Sequence, residues 1–376
     1  MYNHYDVILG GFDMPVKILH GADFHIDSPF ASLPEEKASQ RRREQRALLE
    51  KIAKTAKEQE TDIVLLSGDL FDSDVSYFET CEILEQVFSS LSAHVFIAPG
   101  NHDYYCHRSP YAHVKFPENV HIFKSPSISY VDLPELSCRV WGAGFNTPLS
   151  ESLMNGFKAD NPNMINIMTI HGDLGGETYN HISTEEIAAS GLDYLALGHV
   201  HTFSGFLKAG KTVYAYPGCP EGRGFDETGE KGIIVGAVSK NGCDLQFMPL
   251  GGREYKVLNI DMTAKADPIE ALKSAIPENA DRDIFRVIFT GEYDTKVDLE
   301  AVAEVCGGNF FHATFKDKTV RPGDMWQGLG ENSLRGVFLE KMRGAYENAS
   351  DDEKSGVEQA VRYGLAALDR REDWRP

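Results

Sequence analysis

Residues 16–25 read VKILHGADFH, an apolar run that ends abruptly in glycine, aspartate and histidine. A short run rich in β-branched residues is typical of a buried strand, and the polar residues after it then lie at the carboxyl end of that strand. Four later segments repeat this pattern. They are residues 62–66 before Ser67-Gly68-Asp69, 94–98 before Pro99-Gly100-Asn101, 165–170 before His171-Gly172-Asp173, and 194–197 before Gly198-His199-Val200-His201.

Long helical patterns separate the first three of these strands, at about 35–59 and about 74–92. An order of strand, helix and strand favours βαβ crossovers and parallel strands. Ligands of such sheets bind at the carboxyl ends of the strands. We therefore expect the five polar segments to converge on one site.

A second sheet layer of antiparallel strands is predicted by shorter alternating runs separated by proline and serine. These runs lie at 120–123, 128–131, 138–142, 212–216, 232–238 and 243–249. Residues 1–254 are therefore expected to form an α/β domain whose core is two layers of sheet with outer helices.

The pattern changes after residue 254. Residues 255–325 read as strand, helix, strand, helix and strand, which predicts a second, small α/β domain. Residues 326–376 predict two C-terminal helices, at about 332–347 and about 351–369. Each has an apolar stripe, with Leu334, Phe338 and Met342 on the first and Val357, Val361, Leu365 and Leu368 on the second. Such stripes either pack on the chain's own core or dock a partner.

Composition limits the class of protein. Of the 376 residues 42% are apolar, which is enough for a sizeable core, and 37 Lys plus Arg against 57 Asp plus Glu give a net charge of −20. An acidic chain does not coat nucleic acid by bulk charge, so a nucleic-acid activity would need a local site.

The sequence shows neither a spanning segment nor a signal peptide, which predicts a cytoplasmic protein with no membrane partner. The six cysteines form no Cys-x-x-Cys pair, so no disulfide framework or thiolate zinc site is expected.

The polar segments supply carboxylate, imidazole and amide donors, which suit hard divalent metals. The predicted ligands of a metal A are Asp23, His25, Asp69 and His201, and those of a metal B are Asp69, Asn101, His171 and His199. The two ions would share the carboxylate of Asp69. A pair of ions about 3.5–4 Å apart activates water and neutralises the attacking and leaving oxygens of a displacement at phosphorus. Phosphoester hydrolysis is therefore the predicted reaction.

His102 directly follows a predicted ligand and would project past the metals. It is predicted to be catalytic, by protonating the leaving oxygen or by stabilising charge on the phosphoryl group. Asp72 and Asp103 are predicted to orient it.

Asp-x-His and Gly-Asp-x-x-Asp are weak signals alone, because aspartate and histidine at strand ends also cap turns and make structural hydrogen bonds. Gly-Asn-His-Asp is a stronger signal, and Gly-His-x-His is stronger still, because two histidines on one face are costly without a partner. All five in order, each ending a predicted strand, strongly favour a metal centre. The basic run Arg41-Arg42-Arg43 with Arg46 is instead interpreted as a solvated helix face, with contact to phosphates as the less favoured alternative.

The ordered motifs resemble those of the calcineurin-like metallophosphoesterase superfamily over about residues 16–250. They are Asp23-x-His25, Gly68-Asp69-x-x-Asp72, Gly100-Asn101-His102-Asp103, His171-Gly172 and Gly198-His199-x-His201. The resemblance implies a four-layer α/β/β/α sandwich and a dinuclear centre with the ligands given above. Residues before about Met14 precede the usual start of such a core.

Within the superfamily, the chain is similar to the DNA repair exonuclease branch of SbcD-like and YhaO-like nucleases. The similarity rests on residues 17–25, on Tyr216-Pro217-Gly218 with residues 222–227, and on the small α/β domain. It implies a metal-dependent DNA exonuclease, with endonuclease activity left open, that uses two divalent ions, expected to be Mn²⁺, and a small domain that caps the active site. DNA and an SMC-type ATPase subunit, SbcC-like or YhaN-like, are the implied partners, and homodimerisation is left open. A phosphate contact by Arg223 is suggested.

The sequence leaves two alternative functions open. One is a phosphatase or cyclic-nucleotide phosphodiesterase that acts on small phosphoesters. The other is a non-catalytic scaffold that keeps a metal for stability, which is disfavoured because His102 is not needed to hold a metal.

Overall fold

The structure is a computed structural model that describes residues 14–73, 76–176, 178–321 and 324–368. The chain divides into two compact units, Met1–Tyr255 and Lys256–Pro376. The segment before Met14 lies outside the described residues.

The first unit contains both strands and helices. The strands are β1 (Val16–Gly21), β2 (Ile63–Leu66), β3 (His94–Ile97), β4 (Val120–Ile122), β5 (Ser129–Leu133), β6 (Cys138–Gly142), β7 (Ile165–His171), β8 (Asp173–Leu174), β9 (His181–Ile182), β10 (Tyr194–Gly198), β11 (Leu207–Ala209), β12 (Thr212–Ala215), β13 (Gly232–Ser239) and β14 (Gly242–Pro249). The described helices are α1 (Glu35–Glu58), α2 (Phe78–Ser89), α3 (Pro110–His113) and α4 (Thr184–Ala189).

Most of these strands form two six-stranded sheets. The first sheet has the order β14-β13-β1-β2-β3-β4 and the second has the order β11-β12-β10-β7-β6-β5. Strands β1 to β4 run parallel to one another, and so do β6, β7, β10 and β12. The carboxyl ends of β1, β2 and β3 therefore share one edge of the first sheet, and those of β7 and β10 share one edge of the second.

Alternation along the strands produces four layers. Ile18 of β1 lies in an apolar cluster shared with Ile167 of the second sheet, whereas its neighbour Leu19 packs with residues of α1 and α2 on the outer face. On the far face of the second sheet, Leu195 packs with Ile187 of α4. The predicted α/β fold class is confirmed, with layers in the order helix, sheet, sheet, helix.

The predicted composition of the second sheet is partly wrong. Strand β4 pairs with β3, and the β13–β14 hairpin pairs with β1, so these strands belong to the first sheet. In the second sheet β6 is antiparallel to β5 but parallel to β7. Alternation reports which face of a strand is buried, but it does not report which sheet the strand joins. Helix α2 also begins at Phe78 rather than near residue 74, and residues 74–75 lie outside the described part of the chain.

The second unit begins with a three-stranded sheet in the order β15-β16-β17, formed by β15 (Tyr255–Asp261), β16 (Ile284–Thr290) and β17 (His312–Asp317). Helices α5 (Pro268–Lys273) and α6 (Leu299–Cys306) lie between the strands in sequence. Asp267 and Asp298 accept hydrogen bonds from backbone N–H groups in the first turns of α5 and α6, which fixes where these helices begin. This is the element order predicted from the sequence.

The unit ends in α7 (Leu334–Asn348) and α8 (Asp351–Leu368). Their apolar stripes pack largely against each other, in a cluster of Leu339, Val361, Leu365, Phe338 and Met342 with Met325 and Trp326. Leu334 and Val337 remain 73% and 51% exposed. Most of the stripe therefore belongs to the chain's own core. None of the described helices is long and apolar enough to cross a membrane.

A buried polar contact joins the two sheets beneath the carboxyl ends of the strands. The Tyr194 hydroxyl donates to His20 Nδ1 over 2.9 Å, and His20 Nε2–H donates to the Leu197 carbonyl over 3.2 Å. His20 is fully buried, and this burial lowers the pKa of its imidazole from 6.5 to about 3 even though the bond to Leu197 favours the charged form. The folded protein therefore holds His20 neutral.

This pairing predicts acid sensitivity. Below pH 6.5 the unfolded chain takes up a proton at His20 that the folded chain refuses until about pH 3, so stability falls as the pH falls. Between pH 8 and pH 5 this one group should remove about 2 kcal/mol from the free energy of unfolding. Urea unfolding of wild type and His20→Gln in chelator should show a shallower pH dependence for the variant. Identical pH dependences would mean that His20 titrates normally in the folded protein.

Candidate metal centre

The predicted ligands gather where the two sheets meet. Asp23 and His25 follow β1, Asp69 follows β2 and Asn101 follows β3, whereas His171 ends β7 and His199 and His201 follow β10. The carboxylate of Asp23 is buried and accepts the backbone N–H of His199, with both oxygens 3.0 Å from the nitrogen. One hydrogen-bonded group thus joins the ligand loops of the two sheets.

Several of these residues adopt a left-handed backbone. The φ angles of Asp23, His25, Asp69 and His199 are 54°, 46°, 50° and 118°. Such conformations are costly for residues other than glycine and cluster at functional sites, where the surroundings hold them in place. Here backbone bonds do so, because Asp23 N–H donates to the Gly68 carbonyl and His25 N–H to the Asp69 carbonyl.

Donor atoms of these residues lie close together in overlapping groups. One group contains Asp23, His25 and His201, and another contains Asp23, Asp69 and His171, with the ligating atoms of each group within 4.8 Å of one another. Asp69 Oδ2 lies 3.7 Å from His25 Nε2 and 3.5 Å from His171 Nε2. One carboxylate oxygen therefore faces a histidine from each of the two predicted metal sites, as a bridging ligand would.

The imidazoles are oriented to present Nε2 to this space. His171 Nδ1–H donates to the Ser67 carbonyl over 3.0 Å, so its Nε2 carries the lone pair and faces Asn101 Oδ1 at 2.9 Å. Two acceptors at that distance favour a cation between them. His25 Nδ1–H similarly donates to Asp72 Oδ1 over 3.1 Å, while His25 Nε2 is buried without a hydrogen-bond partner. The unpartnered Nε2 of His25 and the facing acceptors of His171 and Asn101 fit divalent ions.

Two glycines leave room for the ligands. A Cβ at Gly68 would lie 2.3 Å from His171 Nδ1, and one at Gly100 would lie 2.3 Å from Asp69 Oδ1. Gly68 also has a φ of 94°. A larger residue at either position would displace a predicted ligand.

The ring of His199 lies beside the metal groups rather than within them. Its centroid is 5.2 Å from that of His171 and 5.2 Å from that of Tyr179, and its backbone N–H holds Asp23. Its side chain belongs to none of the close groups of donor atoms formed by the described residues. The structure thus brings six of the seven predicted ligands together and places His199 at the edge.

His102 lies on the open side of the centre. Its backbone N–H donates to Asp69 Oδ1 over 2.9 Å, its ring is exposed, and the ring centroid is 4.8 Å from that of His25. His102 Nδ1–H donates to the Asp72 backbone carbonyl over 3.2 Å. Asp72, which was predicted to orient His102, therefore does so through its main-chain carbonyl. Its carboxylate bonds to His25 instead.

Asp103 differs from its predicted role. Its buried carboxylate accepts hydrogen bonds from the backbone N–H groups of Gly100, Leu70 and Phe71 and from the Tyr111 hydroxyl, rather than from the His102 imidazole. It therefore fixes the loops after β2 and β3. Burial and the charge of Asp69 raise the pKa of Asp103.

The charge state of Asp69 suits a ligand. Burial would raise the pKa of its carboxyl, but the imidazoles of His171, His25 and His102 outweigh burial and lower that pKa. The carboxylate is therefore ionised in its buried position.

The sequence reasoning missed the role of Glu227. Its Oε1 accepts from His201 Nδ1 over 2.7 Å and from Arg223 Nη2 over 2.7 Å. Burial opposes ionisation, but these two bonds hold the pKa of Glu227 well below its usual range. Both residues lie in the segment 222–227 that carries the family resemblance, and that segment was the available signal.

The interpretation of the basic run on α1 as a solvated face is wrong for two of its residues. Arg41 is fully buried and donates to Glu221 Oε1 over 2.5 Å and to the Gly222 carbonyl over 3.1 Å. Arg46 donates to Asp27. Arg41 thereby anchors the start of the loop that contains Arg223 and Glu227.

Comparison with known proteins agrees with this geometry. A family model described as calcineurin-like phosphoesterase matches residues 16–203, which is half of the chain and includes all seven predicted ligands. The predicted family resemblance is confirmed by this match.

The chain is 27% identical over 259 residues to a Bacillus subtilis (strain 168) protein named "uncharacterized metallophosphoesterase YhaO". That alignment covers 65% of this chain and 63% of the relative, so the chain spans less than two thirds of the relative's length. A crystal structure of TT1561 from Thermus thermophilus covers 63% of this chain and 100% of its own, at 14% identity and a TM-score of 0.36.

Asp69→Asn tests whether one carboxylate serves two ions. The variant removes the negative charge that His25 and His171 face. We therefore expect the affinity for both ions to fall by at least the roughly 10–100-fold that is typical of losing an outer partner of a ligand, and nearly all phosphodiesterase activity to be lost. Elemental analysis after dialysis measures the ions, with Asp62→Asn, which lies before the opposite end of β2, as the control. Two tightly held ions in Asp69→Asn would contradict the shared ligand.

Proposed function

The chain belongs to the calcineurin-like phosphoesterase family. We propose that it is a DNA exonuclease that hydrolyses phosphodiester bonds with two divalent ions, which we expect to be Mn²⁺. The family membership gives metal-dependent phosphoester hydrolysis. The proposal is supported above all by the convergent donor groups, which include the unpartnered Nε2 of the buried His25, and by the exposed His102 beside them.

Divalent ions held by these residues would activate water and offset the charge that develops at phosphorus. The chain's own residues then orient the groups around them. His171, His25 and His201 are fixed by hydrogen bonds at Nδ1, so each keeps Nε2 directed at Asp69 or Asp23 without rearrangement. This preorganisation holds the ligand geometry before a substrate arrives.

His102 is the proposed general acid. Because the Asp72 carbonyl accepts from Nδ1, the ring keeps a proton there, and Nε2 is the atom that exchanges a proton with the substrate. In the imidazolium form, Nε2–H gives its proton to the leaving oxygen, and the ring remains as the neutral Nδ1–H tautomer. The leaving nucleotide thus departs as an alcohol rather than as an alkoxide.

DNA as the substrate is supported by the similarity of residues 17–25 and 222–227 to the DNA repair exonuclease branch, and by the second α/β unit beyond the phosphoesterase core. The net charge of −20 implies that binding depends on contacts near the centre rather than on bulk attraction to the backbone. A role in DNA repair in the cytoplasm is part of the same proposal.

Purified protein with Mn²⁺ should degrade end-labelled duplex or single-stranded DNA and should hydrolyse a small chromogenic phosphodiester more slowly. Preference for a phosphomonoester or a cyclic nucleotide, with DNA left intact, would instead identify a phosphatase or cyclic-nucleotide phosphodiesterase.

His102→Ala is the matched variant for these assays. It keeps the backbone N–H that bonds to Asp69, so both ions should stay bound while the rate on every substrate falls by roughly 10²–10⁴. A large loss of metal would make His102 a ligand, and an unchanged rate would remove it from the mechanism.

An SMC-type ATPase is the proposed partner, and α7 is the proposed docking element. Leu334 and Val337 support this placement, because they are exposed on a helix whose other apolar residues are covered by α8. Replacing both with Asp should leave hydrolysis of a small phosphodiester unchanged and abolish co-purification with a co-expressed SMC-type ATPase. An ATPase that still co-purifies would contradict the placement.

A further inference from the structure

Two carboxylates accept hydrogen bonds from the Nδ1 atoms of the two histidines that are predicted to bind metal A. Asp72 Oδ1 accepts from His25 Nδ1 over 3.1 Å, and Glu227 Oε1 accepts from His201 Nδ1 over 2.7 Å. A carboxylate behind a ligating histidine fixes the ring and its tautomer, and loss of such a partner typically costs 10–100-fold in metal affinity.

One arginine connects these two carboxylates. Arg223 Nη1 donates to the same Asp72 Oδ1 over 2.9 Å, and Arg223 Nη2 donates to the same Glu227 Oε1 over 2.7 Å. The Arg223 backbone N–H adds a bond of 2.8 Å to Glu227 Oε2. The guanidinium therefore shares one acceptor oxygen with each histidine, in the planar fork geometry that lysine cannot reproduce.

From this arrangement we infer that Arg223 is a positioning residue that acts on metal A alone. It sets the spacing of the Asp72 and Glu227 carboxylates. Through these carboxylates it orients the rings of His25 and His201 so that both Nε2 atoms can bind the same ion. The inference rests on the proposed two-ion centre and deepens it. Arg223 and Glu227 lie beyond the residues that the family model matches.

The two halves of the centre differ in their support. His171, assigned to metal B, is held by the main-chain carbonyl of Ser67, which is buried between the sheets. His25 and His201 are held by side chains that meet at Arg223, which is 17% exposed. Loss of Arg223 should therefore release one ion and spare the other.

The same contacts argue against a phosphate-binding role for Arg223. Its charge is already paired with the two carboxylates of Asp72 and Glu227, which reduces its attraction for a phosphate.

The test uses the full-length protein and Mn²⁺ as the probe. Wild type should bind two ions, and its electron paramagnetic resonance spectrum should be that of two magnetically coupled Mn²⁺ ions. Arg223→Ala should keep one tightly bound ion with the six-line spectrum of isolated Mn²⁺, and its affinity for the second ion should fall by about 10–100-fold. Arg223→Lys, which retains the charge but cannot bridge both carboxylates, should show a loss in the same ion.

Arg139→Ala is the matched control. Arg139 is also paired with two carboxylates, Asp132 at 2.6 Å and Asp160 at 2.5 Å, but it lies on β6, away from the ligand loops. This variant should keep both ions and the coupled spectrum.

The outcomes separate the inference from the proposed function. If wild type itself fails to bind two ions or to cleave phosphodiesters, the proposed function fails. If wild type does both, but Arg223→Ala and Arg223→Lys keep two ions at wild-type affinity and show only a higher KM, Arg223 is a phosphate contact and the inference is overturned. Equal weakening of both ions would also overturn it. If the alanine variant does not fold, the lysine variant decides on the same criteria.

Discussion

The buried carboxylate of Asp23 holds the site together, because it accepts the His199 backbone N–H and so joins the ligand loops of two separate sheets. A buried polar group is costly unless it is hydrogen-bonded. The pairing is available only when the carboxyl ends of β1 and β10 meet. The inter-sheet bond between Tyr194 and His20 lies beneath the same edge, where it aligns the two layers. The geometry of the site therefore depends on how the two sheets pack against each other.

Much of this arrangement could be predicted from the sequence. The five apolar runs and the polar residues after them indicated the strands, their ends and the residues that converge, because a strand end is a local feature and each motif is contiguous. The sheet to which a strand belongs is decided by packing at a distance, so the placement of β4 and of the β13–β14 hairpin was not predictable from alternation.

The side-chain partners of the predicted residues were harder to foresee for the same reason. Asp72 and Asp103 both follow glycine-rich turns, but one carboxylate turns toward His25 and the other toward backbone N–H groups of its own loops. Arg41 looks like a surface residue on a helix full of charges, and its burial depends on the distant Glu221 and Gly222 as well as on the nearby Glu44. Contacts across 151 and 180 residues, such as Arg223 to Asp72 and Arg41 to Glu221, leave no periodic trace in the sequence.

The central claim is that two ions share Asp69 where the two sheets meet. Crystals of the protein soaked in Mn²⁺ and measured at the manganese absorption edge would test it most directly. We expect two anomalous peaks about 3.5–4 Å apart, one against His25 and His201 and the other against Asn101 and His171, with Asp69 between them. A single peak, or two peaks that do not share Asp69, would contradict it.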